Sequence, residues 1–206
     1  MDDKDIRLPE DDISLDSISP AQDPTKKKRL AVALLSLAIV AVLAVTCALL
    51  LREYVFTTYL VDGESMLPTL DGGVTGVTDD GDKLLLNRIK DPARGDIVVF
   101  TYDWGDAEDD PHALVKRVIA LPGDKVEIKD GELFLNGEKQ DEHYINGAMN
   151  HSFDGLSVTV PEGHLFVMGD NRNNSTDSRY IGCVPRENLI GTCFLISYDG
   201  GKLRIP

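Results

Sequence analysis

The sequence predicts a mostly β protein, in which a single N-terminal transmembrane helix is followed by an extracytoplasmic antiparallel β domain. Three observations support this fold class. Residues 30–51 contain no charged side chain, the remainder alternates short β-type runs with turn residues, and no amphipathic stretch of ten or more residues occurs outside the span. We therefore divide the 206 residues into a cytoplasmic tail (1–29), a membrane span (30–51) and an outer β domain (52–206).

The span is defined by its length and its flanking charges. Leu30–Leu51 contains 22 uncharged residues, which as a helix measure about 33 Å and can cross a hydrocarbon core of about 30 Å. Four basic residues precede it at positions 26–29, and Arg52 follows it. Because basic residues are retained in the cytoplasm, we expect the N-terminus inside and the β domain outside. A cleavable signal peptide is less favoured, since no A-x-A-like site follows the span.

Charge is distributed unevenly along the chain. The tail has a net charge of −2 and the outer domain a net charge of −12. The tail is polar and proline-containing with little periodicity, which predicts a disordered cytoplasmic segment. The acidic outer domain argues against nucleic acid as a partner, because phosphates require Lys and Arg. It also argues against broad electrostatic docking on anionic lipid, and we interpret the acidity as favouring solubility.

Seven segments of the outer domain have the composition of β-strands. They are Leu84–Ile89, Asp96–Tyr102, Ala113–Ala120, Lys125–Ile128, Leu156–Val160, His164–Met168 and Gly191–Tyr198. The dipeptides Asp130-Gly131 and Asn136-Gly137 supply the positive φ angles of tight hairpins. Together these patterns predict antiparallel pairing.

Two acidic loops and three cysteines raise the question of metal binding. The loops Asp71–Asp82 and Asp103–Pro111 lack the full ligand spacing of a calcium loop, so we interpret them as solvated turns. Cys47 lies in the span, and none of the cysteines has metal-ligand spacing. A disulfide between Cys183 and Cys193 stays open, although their apolar surroundings favour unpaired cysteines that pack as small hydrophobic residues. We predict no metal and no cofactor.

Three motifs contain the residues best suited to catalysis. S-M-L-P-T begins at Ser65, V-K-R-V-I-A-L-P-G-D contains Lys116, and M-G-D-N-R-N-N-S-T-D-S-R-Y-I-G covers residues 168–182. A serine hydroxyl becomes an effective nucleophile when a neighbouring base accepts its proton. A lysine amine can be that base where desolvation disfavours its ammonium form.

The surroundings of Lys116 meet that requirement. On a strand, Lys116 shares a face with Leu114 and Val118, and Arg117 points to the other face. The sequence therefore predicts a lysine on an apolar face of the sheet.

In their order and content, the three motifs resemble those of bacterial type I signal peptidases. These are membrane-anchored serine proteases that remove signal peptides from exported proteins with a Ser–Lys dyad. The segment R-G-D-I-V-V-F (94–100) also resembles a block of that family, and the similarity covers residues from about 52 to 206. The resemblance implies that Ser65 is the nucleophile, that Lys116 is the base and that secreted preproteins are cleaved after small residues.

The resemblance also implies roles for other side chains. The serine matching Ser175 bonds the catalytic lysine in this family. A supporting charge network is formed there by the residues matching Asp170, Arg117, Asp177 and Arg179. Candidate substrate-pocket residues are Tyr59, Val61, Met66, Leu70, Leu114 and Val115. Position 63 is Gly where some members have a hydroxyl residue that assists the oxyanion hole, which leaves the second oxyanion donor open.

Three alternatives remain at this stage. A Ser–His–Asp triad would use one of the four histidines, but no G-x-S-x-G elbow is present. A related Ser–Lys protease with a narrow client, such as a pilin-processing enzyme, would have the same organisation. A non-catalytic single-span protein is a third possibility, and the presence of both Ser65 and Lys116 argues against it. The sequence does not predict the oligomeric state.

Overall fold

The structure, a computed structural model, describes residues 24–73, 80–105, 112–198 and 200–206. Of the predicted cytoplasmic tail, residues 1–23 lie outside this description. The two acidic loops are described only in part, because residues 74–79 and 106–111 also lie outside it. The chain divides into two compact units, residues 1–47 and 48–206.

The N-terminal helix, α1, extends over Pro24–Tyr54 and is longer than the predicted span at both ends. The part Thr25–Tyr54 is long and apolar enough to cross a membrane. Its leucine, isoleucine and valine side chains are exposed around the whole helix, which suits a lipid environment. The hydroxyl of Thr46 donates to the carbonyl of Val42 at 2.9 Å, so this polar group is satisfied within the helix.

The described part of the predicted outer domain contains two antiparallel sheets. In the described residues their strands are β1 (Phe56–Leu60), β2 (Lys83–Asn87), β3 (Ile97–Tyr102), β4 (His112–Ala120), β5 (Lys125–Lys129), β6 (Glu132–Leu135), β7 (Glu138–Lys139), β8 (Ser157–Thr159), β9 (His164–Met168), β10 (Val184–Pro185), β11 (Leu189–Tyr198) and β12 (Lys202–Arg204). The larger sheet has the order β1-β2-β11-β3-β4-β9-β10 with β12 on β11, and the smaller has the order β7-β6-β5-β8. The predicted fold class, a mostly antiparallel β protein with an N-terminal apolar helix, is confirmed.

All seven predicted strands are present, with ends that shift by two residues at most. Both predicted hairpins are confirmed: Asp130 and Asn136 have φ of 53°, and a Gly with positive φ follows each of them. This is the backbone of the tight turns that suit the twist of paired strands. The sequence did not single out β1, β10 or β12. The last two are only two and three residues long, which is too short to show alternation.

Helical structure in the described outer domain is short. It consists of one helical turn, α2 (Ser178–Ile181), and two 3₁₀ turns at His151–Phe153 and Arg186–Asn188. The third motif lies between β9 and α2. Because β4 runs between β3 and β9, that motif begins beside the strand that carries Lys116.

Candidate active site

The loop that carries Ser65 is anchored by its own apolar side chains. Met66 and Leu70 are fully buried, and Val61 is 1% exposed. All three pack into one apolar cluster with Val115 of β4. The N–H of Leu70 donates to the carbonyl of Met66 at 2.9 Å, which closes a helix-like turn. Ser65 is thereby held at a partly exposed position beside a fixed core.

The third motif holds the same loop from its other side. The backbone N–H of Asn171 donates to the carbonyl of Ser65 at 3.0 Å. The side-chain amide of Asn171 donates to the carbonyl of Glu64 at 3.1 Å, and that of Asn174 donates to the Glu64 carboxylate at 3.1 Å. The first two bonds fix the backbone of Glu64 and Ser65, and the third holds the side chain of Glu64.

Gly169 allows the two segments to approach closely. A Cβ atom at this position would lie 2.4 Å from the carbonyl oxygen of Ser65 and 2.3 Å from Oγ of Ser175. Real Cβ atoms do not approach other atoms so closely, so the arrangement requires glycine here. No sequence pattern singles out this glycine. Its only signal was its place inside the third motif.

Ser65 and Lys116 are in direct contact. Nζ of Lys116 donates to Oγ of Ser65 at 2.7 Å and to the carbonyl of Val115 at 2.8 Å. Antiparallel pairing with β3 sets Lys116 opposite Val98. Among the described residues, the hydrogen bond that Ser65 Oγ accepts comes from this lysine.

The environment of Lys116 favours a neutral amine. The residue is only 3% exposed. Burial is the largest influence and lowers the pKa of Lys116 to about 8, although the negative charges of Asp177 and Asp170 act in the opposite direction. An amine with this pKa is about half deprotonated near pH 8 and can then accept a proton.

The four predicted network residues form two separate buried ion pairs. Arg117 binds Asp170 through Nε at 2.8 Å and Nη2 at 2.7 Å. Arg179 binds Asp177 with the same two distances. Both carboxylates are fully buried. Each arginine is therefore paired with one of the two acids whose charge acts on Lys116.

Ser175 has a different partner from the one that the resemblance implied. Its hydroxyl donates to Oδ2 of Asp177 at 2.8 Å, and the N–H of Gly169 donates to the same oxygen at 2.9 Å. In the described part of the chain, the hydrogen bonds of Lys116 Nζ go instead to Ser65 and Val115. The physical reason is that a buried carboxylate is a strong acceptor for the Ser175 hydroxyl, whereas a charged lysine ammonium offers no acceptor.

Five of the six candidate pocket residues belong to one apolar cluster. They are Tyr59, Val61, Met66, Leu70 and Val115. The hydroxyl of Tyr59 donates to the carbonyl of Ala113 at 2.7 Å, and burial raises its pKa. Leu114 differs, because it packs with Val98 and Phe100 in another cluster. Alternate residues of a strand face opposite sides, which places the adjacent residues Leu114 and Val115 in different clusters.

The two outer cysteines are unpaired in the structure. Cys193 is buried in the cluster that contains Met66, and Cys183 packs against the cluster that contains Met168. Burial raises the pKa of both thiols, that of Cys193 to about 11. Both behave as the small hydrophobic side chains that the sequence favoured.

Comparison with known proteins identifies the family of this chain. The family model described as "Signal peptidase, peptidase S26" matches residues 34–198. Signal peptidase I S of Bacillus subtilis is 38% identical over 194 residues, which cover 89% of this chain and 97% of that protein. Probable signal peptidase I-2 of Synechocystis sp. is 40% identical over 159 residues, or 75% of this chain and 68% of that protein.

One solved structure is also similar. A signal peptidase I from Enterococcus faecalis V583 is 36% identical, covering 50% of this chain and 97% of that chain with a TM-score of 0.41. The family match and the sequence relatives make this chain a hydrolase of the serine peptidase class. It belongs to the signal peptidase family, peptidase S26. The resemblance found in the sequence motifs is therefore confirmed.

Proposed function

We propose that this chain is a membrane-anchored signal peptidase I that cleaves signal peptides from exported preproteins after small residues. The observation that carries the proposal is the 2.7 Å contact between Lys116 Nζ and Ser65 Oγ, made by a lysine that is 3% exposed. The names of the relatives support the substrate class, since they are signal peptidases. Ser65 is the proposed nucleophile and Lys116 the proposed base.

The proposed reaction has two stages. Neutral Lys116 accepts the proton of Ser65 as Oγ attacks the carbonyl carbon of the scissile peptide bond. The resulting ammonium returns the proton to the leaving amine, which releases the mature protein and leaves the signal peptide as an ester on Ser65. Lys116 then activates a water molecule that hydrolyses the ester. The Val115 carbonyl accepts an N–H of the amine and orients it throughout.

Charge on the tetrahedral intermediate requires hydrogen-bond donors. The backbone N–H of Ser65 is our proposed donor. Position 63, where some family members have a hydroxyl, is a glycine with φ of 82°. We therefore propose that an oxyanion hole in this chain relies on the backbone rather than on a side chain at position 63.

The buried ion pairs are proposed to position the base. Asp177 receives hydrogen bonds from Ser175, Gly169 and Arg179, and it therefore orders the segment that packs on Ser65. The ion pair between Asp170 and Arg117 likewise orders the start of the third motif beside β4. Loss of one partner would leave an uncompensated buried charge, which typically costs about 3–5 kcal/mol.

An N-in, C-out topology is the first expected result. The basic cluster at 26–29 next to an uncharged span predicts that protease added outside spheroplasts digests the outer domain. An epitope tag fused to the N-terminus is the matched control, since it should be digested only after the membrane is broken. An outer domain that survives until lysis would refute this topology.

The cleavage itself is tested with a purified preprotein. The full-length enzyme in detergent should produce one new N-terminus, located by mass spectrometry directly after the signal peptide. Ser65→Ala enzyme, purified in the same way, controls for contaminating proteases. A product that the Ser65→Ala enzyme forms equally well would exclude this chain as its source.

The pH dependence provides another prediction. Below the pKa of Lys116 the ammonium form dominates and cannot accept a proton, so kcat/KM should rise with pH along a single titration centred near pH 8. Steady-state kinetics on a signal-peptide substrate measure this curve.

Histidine substitution supplies the control for that curve. Four single alanine variants should keep the same rising limb, at positions His112, His143, His151 and His164. If one of them loses the limb while it remains folded, the base is a histidine and the lysine assignment is wrong.

A further inference from the structure

A segment outside the three motifs packs on the third motif. Arg172 of that motif is 2% exposed and binds the carboxylate of Glu142 through two hydrogen bonds of 2.5 and 2.6 Å. The N–H of Asn146 donates to the carbonyl of Asp170 at 2.9 Å. We call residues 142–146 the clamp segment. It has no secondary structure of its own, so these contacts hold it in place.

Tyr144 lies at the centre of the clamp segment. The guanidinium of Arg117 stacks on its ring with the central carbon 4.2 Å from the ring centroid. The guanidinium of Arg172 is 5.9 Å from the same centroid. The Tyr144 hydroxyl donates to Glu142 at 2.8 Å. The ring is therefore fixed by its hydroxyl and by two cations, and such contacts are strongest where water is excluded.

Arg117 connects the clamp segment to the proposed base. It directly follows Lys116 on β4, and its guanidinium also donates to the carbonyl of Gly95 at 2.8 Å. Its main partner is Asp170, one of the two acids whose charge acts on Lys116. With Arg117 in place, the charge of Asp170 is largely balanced. If the guanidinium moved away, Asp170 would stabilise the ammonium form of Lys116 more strongly.

We propose that Tyr144 is a positioning residue for the peptidase reaction, whose ring holds Arg117 on Asp170 and so keeps that charge balanced beside Lys116. This proposal rests on the proposed function, in which neutral Lys116 is the base. The hydroxyl of Tyr144 has a lesser part in it, because the contact with Arg117 is made by the ring.

The charged groups around this arrangement are few and identifiable. Lys116 is subject to two acids, each paired with an arginine, and the Ser65 loop adds two exposed acids. These groups are Asp170, Arg117, Asp177, Arg179, Asp62 and Glu64. Tyr144 faces Arg117, Glu142 and Arg172. Burial, followed by the charge of Glu142, raises the pKa of Tyr144, so its phenol stays neutral across the assay range.

The test compares pH profiles of kcat/KM for full-length Tyr144→Met and Tyr144→Phe. Methionine removes the ring but fills part of its volume, whereas phenylalanine keeps the ring and loses only the hydroxyl. For Tyr144→Met we expect the rising limb to move about 0.5–1 pH unit higher, given the usual strength of a cation–π contact. At pH values below the rising limb, kcat/KM of this variant should then be roughly 3–10-fold lower than that of the wild type. At pH values above the limb, it should return to near the wild-type value.

Tyr144→Phe should keep the wild-type limb. Phe134→Leu is the matched control, because it removes a ring from another cation–π contact, with Lys129 at 5.3 Å, in the smaller sheet. It should leave the limb unchanged. Thermal unfolding of each variant verifies its folding, and Tyr144→Leu replaces the methionine variant if that protein is unfolded.

Each outcome has a distinct meaning. A uniform loss of activity at all pH values would show a purely structural role for Tyr144 and overturn the proposal. The proposal would also be overturned if the rising limb stayed at its wild-type pH in a folded variant that lacks the ring. The same holds if the limb moved equally in Tyr144→Phe. If the wild-type enzyme itself has no rising limb, the failure lies with the proposed role of Lys116 and not with Tyr144 alone.

Discussion

The single substitutions Ser65→Ala and Lys116→Ala should each lower kcat/KM for a preprotein by on the order of 10³-fold or more. Each variant should remain folded and inserted in the membrane, because neither side chain belongs to an apolar core cluster. The double variant should be no slower than either single variant, since a nucleophile and its base act as a unit. Lys116→Arg should also be inactive, because a guanidinium keeps its proton.

Suitable controls are exposed side chains of the smaller sheet. Ser157→Ala and Lys129→Ala make the same chemical changes at exposed positions and should retain full activity. Single-turnover kinetics on one preprotein compare the wild type with these six variants. A double variant far slower than both single variants would show that Ser65 and Lys116 act independently, contrary to the dyad.

Gly169→Ala should be strongly damaging although Gly169 is not part of the dyad. Its Cβ would lie 2.4 Å from the Ser65 carbonyl and 2.3 Å from Ser175 Oγ. The carbonyl cannot retreat freely, because it accepts the N–H of Asn171 at 3.0 Å. The Ser65 loop must then move relative to Lys116, and a displacement of about 1 Å can reduce a rate roughly 10²-fold. Steady-state kinetics with thermal unfolding separate the loss of activity from a loss of stability.

Gly191→Ala is the comparison for that variant. Gly191 also has a negative or extended backbone φ, and an added Cβ would meet Cβ of Leu86 at 3.0 Å and the carbonyl of Asn87 at 3.1 Å. This milder crowding lies in β11 and should lower stability with little change in kcat. Full activity of Gly169→Ala would show that the Ser65 loop tolerates displacement and that its fixed geometry is not required.

The strands of the outer domain were predictable because their signal is local. β3 and β9 contain runs of apolar, mostly β-branched or aromatic residues, and the Asp-Gly and Asn-Gly dipeptides favour the hairpin geometry that the structure shows. The N-terminal helix was equally evident from its uncharged length. These features require no knowledge of distant contacts.

The candidate site was only partly predictable. Ser65 and Lys116 are 51 residues apart, and only the family resemblance indicated that a loop and a strand would bring them together. The separation of Leu114 from the other pocket residues follows from strand alternation, which the resemblance-based assignment of the pocket ignored. The partner of Ser175 could not be chosen from sequence, because Asp177 and Lys116 are both plausible and only their relative positions decide.

Gly169 and Tyr144 show what sequence patterns leave out. Gly169 matters because two distant segments meet at its backbone, and nothing in its neighbourhood along the chain shows this. Tyr144 contacts Arg117, which lies 27 residues earlier in the chain, and Tyr144 belongs to none of the three motifs. Both depend on tertiary packing, which a single sequence does not encode in any local period.

The most direct test of the central claim is the ionisation of Lys116 itself. Full-length protein labelled with ¹³C at the lysine ε-carbons can be titrated by NMR in detergent, and the Lys116 signal is assigned by its absence in Lys116→Ala. We expect this signal to titrate near pH 8, well below the ordinary lysine value of 10.5. A Lys116 signal that titrates at the ordinary lysine value would show a permanently charged ammonium at neutral pH and would contradict its role as the base.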